Sequence, residues 1–141
     1  MSAAHILVID DDERLRDLLQ RFLSESGFLV TAAGSAKEAR AFLVGTMFDL
    51  LVIDVMMPEE TGTEFLADLR KRSSVPALFL TAINETEDRI AGLETGADDY
   101  VAKPFEPREL ILRIKRILAR QKLTERPSLV HFGMFSYDTD R

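Results

Sequence analysis

Residues 48–58 read FDLLVIDVMMP, and this stretch decides the fold class of the chain. Four consecutive apolar residues at 50–53 are followed at once by the carboxylate of Asp54, and Pro58 comes shortly after. A short, continuous apolar run of this kind is typical of a parallel strand that is buried on both faces. Open α/β sheets bind ligands at the carboxyl ends of such strands. We therefore expect Asp54 to lie at the ligand-binding edge of a buried sheet.

Strand and helix patterns alternate along the rest of the chain. Apolar strand segments are predicted at 6–9, 28–32, 50–53, 75–80 and 100–102, and a helical pattern follows each of them. Glycine stop signals such as Gly27 and capping boxes such as Thr61–Glu64 separate the segments. Five βα units predict an α/β fold, a doubly wound five-stranded parallel sheet with helices on both faces.

Composition limits the classes of function. The chain has 141 residues, no cysteine and a formal net charge of −6. This length suits one domain with a sizeable core, and the lack of cysteine excludes disulfides, thiolate metal sites and thiol catalysis. The negative charge argues against nucleic-acid binding by the domain as a whole. We expect a cytoplasmic protein with no membrane partner, because there is no signal-peptide core and no membrane-length apolar run.

Four of the five predicted strands are followed by a side chain that could act on a phosphate group. Asp10 and Asp11 follow the first strand, Asp54 the third, Thr81 the fourth and Lys103 the fifth. Clustered carboxylates repel one another unless a cation is present, and carboxylate oxygens suit Mg²⁺ or Mn²⁺. The pattern predicts a phosphoryl site in which Asp54 is the nucleophile, and in which the metal and Lys103 offset negative charge.

Taken one at a time, these residues have simpler interpretations. An acid such as Asp12 or Glu13 after a strand is usually a helix cap or a surface group. A strand-end threonine is most often a capping hydroxyl, and a single lysine is usually solvated. The occurrence of suitable residues at four strand ends favours the phosphoryl site over these separate explanations.

Five motifs resemble the receiver domain of two-component response regulators over residues 5 to about 122. In chain order they are ILVIDDD at 6–12, DVMMP at 54–58, LTA at 80–82, GADDY at 96–100 and KPF at 103–105. Each motif is weak alone, but their order and spacing are highly specific. The resemblance implies the flavodoxin-like receiver fold with strand order 2-1-3-4-5, here as one receiver domain over residues 1–123.

The resemblance also implies a role for the acids. Asp54 would accept a phosphoryl group from a phosphohistidine of a sensor histidine kinase. Asp11, Asp54 and the Met56 backbone carbonyl would bind Mg²⁺ or Mn²⁺ directly, and Asp10 would act through water. Such a protein is not a conventional enzyme, because it would catalyse only its own metal-dependent phosphorylation and dephosphorylation.

Three further residues would read out the phosphorylation. The resemblance implies that Thr81 moves to bond a phosphoryl oxygen and that Lys103 pairs with the phosphoryl group. Tyr100 would turn inward as an aromatic switch. The Lys103–Pro104 peptide bond would be cis, an isomer that is uncommon even before proline.

Residues 92–100 and 103–114 narrow the resemblance to receivers that carry a C-terminal winged-helix DNA-binding domain. Residues 132–135, FGMF, resemble the first strand of that domain, and 129–137 read as a strand or hairpin. We therefore expect residues 124–141 to be a linker and the truncated start of an effector domain. DNA would be bound only through that C-terminal domain, as in a transcription factor.

In this subfamily, the helix predicted over 84–96, the fifth strand and the following helix form a two-fold dimer face. The corresponding residues of this chain are Arg89, Ile90, Leu93, Glu94, Asp98, Asp99, Glu109, Ile111, Arg113 and Lys115. Exposed ion pairs are individually weak, so we expect modest, salt-sensitive dimerisation. The simpler alternative is that these charges form a solvated face.

The loop after Asp54 departs from the family pattern. Glu59 and Glu60 follow Pro58, where the family usually has glycine, and these acids could loosen or redirect the loop. Met56 and Ile83 are expected to flank the approach of a hydrolytic water. Because both are apolar, we predict a fairly long-lived acyl phosphate.

Three other functions remain as alternatives. An atypical receiver could dimerise without phosphorylation, although the paired acids and Lys103 argue against it. A phosphatase with an aspartate nucleophile would commonly have a second acid two residues later, where this chain has Met56. A flavodoxin-like nucleotide binder would need a glycine-rich phosphate loop after the first strand, which is absent from the sequence.

Overall fold

The computed structural model describes residues 3–82 and 96–131, with side chains through residue 121. These residues form five strands and four helices. The strands are β1 (His5–Ile9), β2 (Leu29–Ala33), β3 (Leu50–Asp54), β4 (Ala77–Ala82) and β5 (Asp99–Lys103). The helices are α1 (Glu13–Glu25), α2 (Ala36–Gly45), α3 (Gly62–Leu69) and the C-terminal helix α4 (Pro107–His131).

The strands form one parallel sheet in the order β2-β1-β3-β4-β5. This order confirms the predicted doubly wound fold. β3 lies in the middle of the sheet, and all five of its residues are buried. The uniform burial explains why the sequence of β3 is apolar throughout rather than alternating.

Successive residues of β3 point to opposite faces of the sheet and so contribute to two separate cores. Leu51 and Ile53 belong to a core that includes residues of α2 and α3. Leu50 and Val52 belong to a second core, which includes residues of α1 and α4. Because both faces are covered by apolar side chains, polar groups can collect only where the strands end.

Two local predictions about helix ends are confirmed. Gly27 has a φ of +101° after α1, and the backbone at this point forms the two hydrogen bonds typical of a glycine stop signal. The amide of Gly27 donates to Ser24, and that of Phe28 to Leu23. At the start of α3, Thr61 and Glu64 form the reciprocal capping box.

The C-terminal helix is longer than the sequence predicts. The sequence predicts a linker from residue 124 and a strand from 129, but α4 continues to His131. Residues 116–126 are mostly good helix formers, which favours continuation of the helix. The helix also continues through Pro127, although proline removes a backbone donor and crowds the preceding turn. The remainder of the predicted strand, and the helix predicted over 84–96 as far as residue 95, lie outside the described residues. The domain boundary at residue 123 stays a prediction.

Among the helices that the structure describes, none combines the length and the apolar character needed to cross a membrane.

Candidate functional site

The register of the sheet brings the predicted site residues together at the carboxyl-terminal ends of the strands. Ile9 of β1 pairs with Ile53 of β3, so the acids that follow them, Asp10 and Asp54, are neighbours. On the other side of β3, the end of β4 lies beside Asp54, and Ala82 pairs with Lys103 of β5. The structure therefore places side chains from three separate parts of the sequence around Asp54.

Asp10, Asp11 and Asp54 form a cluster of acids that could hold a metal ion. Each offers one carboxylate oxygen, and these oxygens lie within 4.8 Å of one another. Asp10 and Asp54 are buried, whereas Asp11 is exposed to solvent. Asp10 Oδ1 accepts the amide of Asp12 at 2.9 Å, but Oδ2 is buried without a hydrogen bond among the described residues. An all-oxygen set with one unsatisfied buried oxygen fits a hard cation such as Mg²⁺ or Mn²⁺.

Lys103 places a positive charge between the two buried acids. Its Nζ donates a hydrogen bond to Asp54 Oδ1 at 3.2 Å, and it lies at an ion-pair distance of 3.5 Å from Asp10 Oδ2. The lysine side chain is 30% exposed, so its charge is partly solvated. The peptide bond between Lys103 and Pro104 is cis.

Burial raises the pKa of Asp54 to about 6, and the negative charge of Asp10 adds to this effect. The ion pair with Lys103 and the hydrogen bond from the Met56 amide act in the opposite direction. Burial also raises the pKa of Asp10. Both acids are therefore held in an environment that disfavours their charged forms and that a bound cation would relieve.

Thr81 and Tyr100, the predicted readout residues, lie on adjacent strands. Thr81 is almost fully buried, and its Oγ1 has no hydrogen-bond partner among the described residues. A buried hydroxyl without a partner is costly, and a phosphoryl oxygen at the site would supply an acceptor. Tyr100 pairs with Phe79 in the sheet and packs, partly buried, against the core that α2 and α3 cover.

The connection from β3 to α3 passes close to Asp54. The Met56 amide donates to Asp54 Oδ1 at 3.2 Å, and the Gly62 amide donates to the Val55 carbonyl at 2.8 Å. A Cβ on Gly62 would overlap the Asp54 carbonyl and would lie 2.9 Å from Ile53 Cγ2. Position 62 therefore requires glycine because the backbone beside Asp54 leaves no room for a side chain, and not only because glycine is common in turns.

The two acids that replace the usual glycine have separate roles. Glu59 adopts a φ of +72°, in the left-handed region that glycine occupies at no steric cost. Glu60 forms a two-point ion pair with Arg40 of α2. Arg40 is not predictable from a local pattern, and the signal for it in the sequence is the need of two adjacent acids for a positive partner.

Four described residues of the proposed dimer face are paired within the chain, and a fifth, Ile111, is buried. Arg113 Nη1 contacts Asp99 Oδ2 at 2.9 Å, and Arg113 Nη2 contacts Glu109 Oε2 at 3.1 Å. Asp98 accepts the amide of Ala77 at 2.9 Å. Ile111 is only 9% exposed, because the helical period places it on the stripe of α4 that faces the sheet.

Of the other residues assigned to this face, Lys115 is exposed on α4. Four lie outside the described residues: Arg89, Ile90, Leu93 and Glu94.

Comparisons with known proteins show the family of the chain. The family model of the response regulator receiver domain matches residues 6–115. Protein PetR of Rhodobacter capsulatus is 53% identical over 142 residues, which cover 99% of this chain and 60% of PetR. The transcriptional regulatory protein CpxR of Klebsiella pneumoniae is 42% identical over 135 residues, with 96% of this chain and 58% of CpxR covered. The chain thus spans about three fifths of the length of these relatives.

Solved structures show the same fold. The receiver domain of the Francisella response regulator 1452 has a TM-score of 0.79 at 37% identity, covering 84% of this chain and 98% of that one. A CheY-like response regulator receiver domain protein from Methanospirillum hungatei has a TM-score of 0.82 at 32% identity, covering 87% and 99%. With the family model matching well over half of its length, the chain belongs to the response regulator receiver domain family.

Proposed function

We propose that Asp54 accepts a phosphoryl group from a phosphohistidine of a sensor histidine kinase in the cytoplasm. The observation that carries this proposal is the meeting of Asp10, Asp54 and Lys103 at one edge of the sheet, with Lys103 Nζ 3.2 Å from Asp54 Oδ1. Asp54 is almost fully buried, yet it lies at the carboxyl end of a strand, where substrates can approach.

The transfer is a displacement at phosphorus. A carboxylate oxygen of Asp54 forms the new P–O bond while the P–N bond to the kinase imidazole breaks. The bonding electron pair leaves with the imidazole, which is neutral if its other nitrogen carries a proton. Lys103 then lies beside the acyl phosphate and offsets part of its negative charge.

The acidic cluster would hold the metal that this transfer needs. The groups that would bind Mg²⁺ or Mn²⁺ directly are Asp11, Asp54 and the Met56 carbonyl. Asp10 would contact the metal through a water molecule. A bound divalent ion would supply Lewis-acid stabilisation of charge on the phosphoryl oxygens. Two observations support this assignment. Asp10 Oδ2 is buried with no hydrogen bond among the described residues, although Lys103 Nζ lies 3.5 Å away, and the exposure of Asp11 leaves an open approach.

Phosphorylation would then favour one of two conformations. Thr81 would donate its hydroxyl, which has no partner among the described residues, to a phosphoryl oxygen, and Tyr100 would turn further into the core. These contacts exist only in the phosphorylated state, so they supply the differential free energy that a switch requires.

The switched state would dimerise through the helix predicted over 84–96, β5 and α4. Asp99 and Arg113 already pair within one chain, and their opposite charges suit exchange of partners across a two-fold axis. CpxR and AruR are named transcriptional regulatory proteins. By likeness to them, the dimer would control transcription through a DNA-binding domain beyond this chain.

The test uses acetyl phosphate as a phosphoryl donor with Mg²⁺ and intact-mass spectrometry. We expect a gain of one phosphoryl group that Asp54→Asn abolishes, while Glu13→Gln, an exposed acid of α1, serves as the control that keeps it. The proposal would be contradicted if the Asp54→Asn variant gained a phosphoryl group. It would also be contradicted if the wild type gained none. If neither the Asp54→Asn substitution nor beryllofluoride changes the extent of dimerisation, the protein is better described as an interaction module independent of phosphorylation.

A further inference from the structure

Arg40 of α2 holds the loop between β3 and α3 from outside the phosphoryl site. Its Nη1 donates to Glu60 Oε1 at 2.6 Å, and its Nη2 donates to Glu60 Oε2 at 2.7 Å and to Asp68 Oδ2 of α3 at 2.9 Å. The guanidinium also lies 5.0 Å from the centre of the Phe65 ring. Two parallel hydrogen bonds fix the orientation of a carboxylate as well as its distance. We call the contacts of Arg40 with Glu60 and Asp68 the Arg40 clamp.

The loop that the clamp holds contains a strained turn. The Glu60 amide donates to the Pro58 carbonyl at 2.7 Å, across Glu59 with its φ of +72°. An i to i+2 hydrogen bond around a residue with this φ defines the rare form of γ-turn, which is strained. A side chain other than glycine adds a steric cost of about 1–2 kcal/mol in the left-handed region. Such a conformation persists only where surrounding contacts hold it.

Both ends of the loop are tied close to Asp54, so a relaxed turn would displace the residues between them. At the start, the Met56 amide donates to Asp54 Oδ1. At the end, the Gly62 amide donates to the Val55 carbonyl, and the capping box fixes Thr61. The carbonyl of Met56, which would bind the metal, follows the anchored Met56 amide and so belongs to the segment that would move.

The clamp remains charged under the conditions in which a receiver would work. The hydrogen bonds from Arg40 lower the pKa of Glu60, and those from Arg72 and Arg40 lower the pKa of Asp68. Both carboxylates are therefore ionised at neutral pH, and the clamp forms without any titration step.

We infer that Arg40 is a positioning residue for the metal site, because its bond to Glu60 holds the strained turn at Glu59 and with it the Met56 carbonyl. This inference rests on the proposed function for the identity of the site. When the clamp is broken, only a fraction of molecules keeps the loop in the metal-binding conformation. The apparent affinity for Mg²⁺ then falls in proportion to that fraction.

A double-mutant cycle between Arg40 and Glu59 tests this coupling. Arg40→Gln is made in the wild-type chain and in Glu59→Gly, where the turn carries no steric strain and needs no external restraint. Mg²⁺ affinity is measured by isothermal titration calorimetry. We expect Arg40→Gln to weaken binding by about fivefold with Glu59 and by less than about twofold with Gly at that position.

Arg72→Gln is the matched control, because Arg72 pairs with Asp68 but with no oxygen of Glu60 among the described contacts. It should leave Mg²⁺ affinity unchanged. Loss of the Arg40 contact with Phe65 is common to both backgrounds, so it cancels in the cycle. If Arg40→Gln does not fold, Glu60→Gln replaces it in the same cycle.

The outcomes separate the inference from the proposed function. Equal effects of Arg40→Gln in the two backgrounds, or no effect in either, would overturn the positioning role while wild-type phosphorylation stands. A wild-type chain that binds no Mg²⁺ and gains no phosphoryl group would overturn the proposed function and this inference together.

Discussion

The Nζ of Lys103 lies 3.2 Å from Oδ1 of Asp54, across 49 residues of sequence. This contact joins the end of β5 to the end of β3 at the edge of the sheet where Asp10 is also buried. It stabilises the charged form of Asp54 and thereby opposes the effects of burial and of Asp10. Several consequences of this balance can be measured.

Removing the lysine charge should destabilise the metal-free protein. In Lys103→Met the two buried acids lose a cation partner, so the pKa of Asp54 should rise and the free energy of unfolding should fall by about 2 kcal/mol at neutral pH. Urea unfolding in EDTA measures this, and added Mg²⁺ should recover part of the loss. Lys37→Met, at an exposed position of α2, should have almost no effect. Equal losses in the two variants would contradict the role of Lys103.

The raised pKa of Asp54 predicts a specific dependence of stability on pH. The folded state holds the proton more tightly than the unfolded chain, because the pKa rises from 3.8 to about 6. The contribution of this carboxyl to stability is therefore complete below the unfolded pKa and is lost as the pH rises through about 6. In EDTA at neutral pH, Asp54→Asn should be more stable than the wild type by about 2 kcal/mol.

The comparison is made by urea unfolding at a series of pH values. The advantage of Asp54→Asn should shrink as the pH falls toward 4. Phosphorylation of the wild type by acetyl phosphate should also decline when Asp54 is protonated, since the neutral acid is a poor nucleophile. An advantage that grows on acidification would show that the sign of the pKa shift is wrong.

Gly62 should tolerate no side chain. A Cβ there would overlap the Asp54 carbonyl and would lie 3.0 Å from the Val55 Cα, so Gly62→Ala must move backbone beside the site. We expect a loss of about 2–3 kcal/mol in unfolding free energy, together with weaker Mg²⁺ binding. Gly45→Ala is the matched control, because nothing lies within 4 Å of a Cβ at that helical position. It should be neutral or stabilising by up to about 1 kcal/mol.

Dimerisation should depend on the charge of Arg113. Its contact with Asp99 is partly exposed, so Arg113→Ala should weaken the beryllofluoride-dependent dimer by only about threefold. The effect should disappear at high salt, because exposed charges are screened. Sedimentation velocity measures the dimer, and Arg116→Ala, exposed on the same helix, is the control. A dimer unchanged by Arg113→Ala at low salt would argue against this face.

The lifetime of the acyl phosphate should depend on Met56. This side chain is 58% exposed and stands two residues after Asp54, so it presents an apolar surface beside the site. Met56→Glu introduces a carboxylate that can orient a water, and we expect hydrolysis to accelerate by about tenfold. Met47→Glu, at another exposed methionine, controls for added charge. Loss of the wild-type phosphoryl group within seconds in Mg²⁺ buffer would contradict the predicted long lifetime.

Much of the fold was predictable because its signals are local. The apolar run at 50–53, the stop at Gly27 and the capping box at Thr61 each depend on a few neighbouring residues. The same holds for the order of acid, hydroxyl and lysine after successive strands. Once these strands are parallel, their carboxyl ends share one end of the sheet, which places Asp54 and Lys103 on the same side of the molecule.

Other features follow from contacts between distant segments. Arg40 and Glu60 lie 20 residues apart on separate elements, and no local pattern pairs them. The length of α4 depends on how far the helix continues past the sheet that it packs against.

The sequence by itself determined the strands, the residues at their ends and, through sheet geometry, the meeting of those residues around Asp54. Only the tertiary structure decided how the loop after Asp54 is held, with Glu59 in a strained turn and Glu60 bound to Arg40. The physical reason is that a strained backbone is stable only when packing elsewhere restrains it, and α2 supplies that restraint.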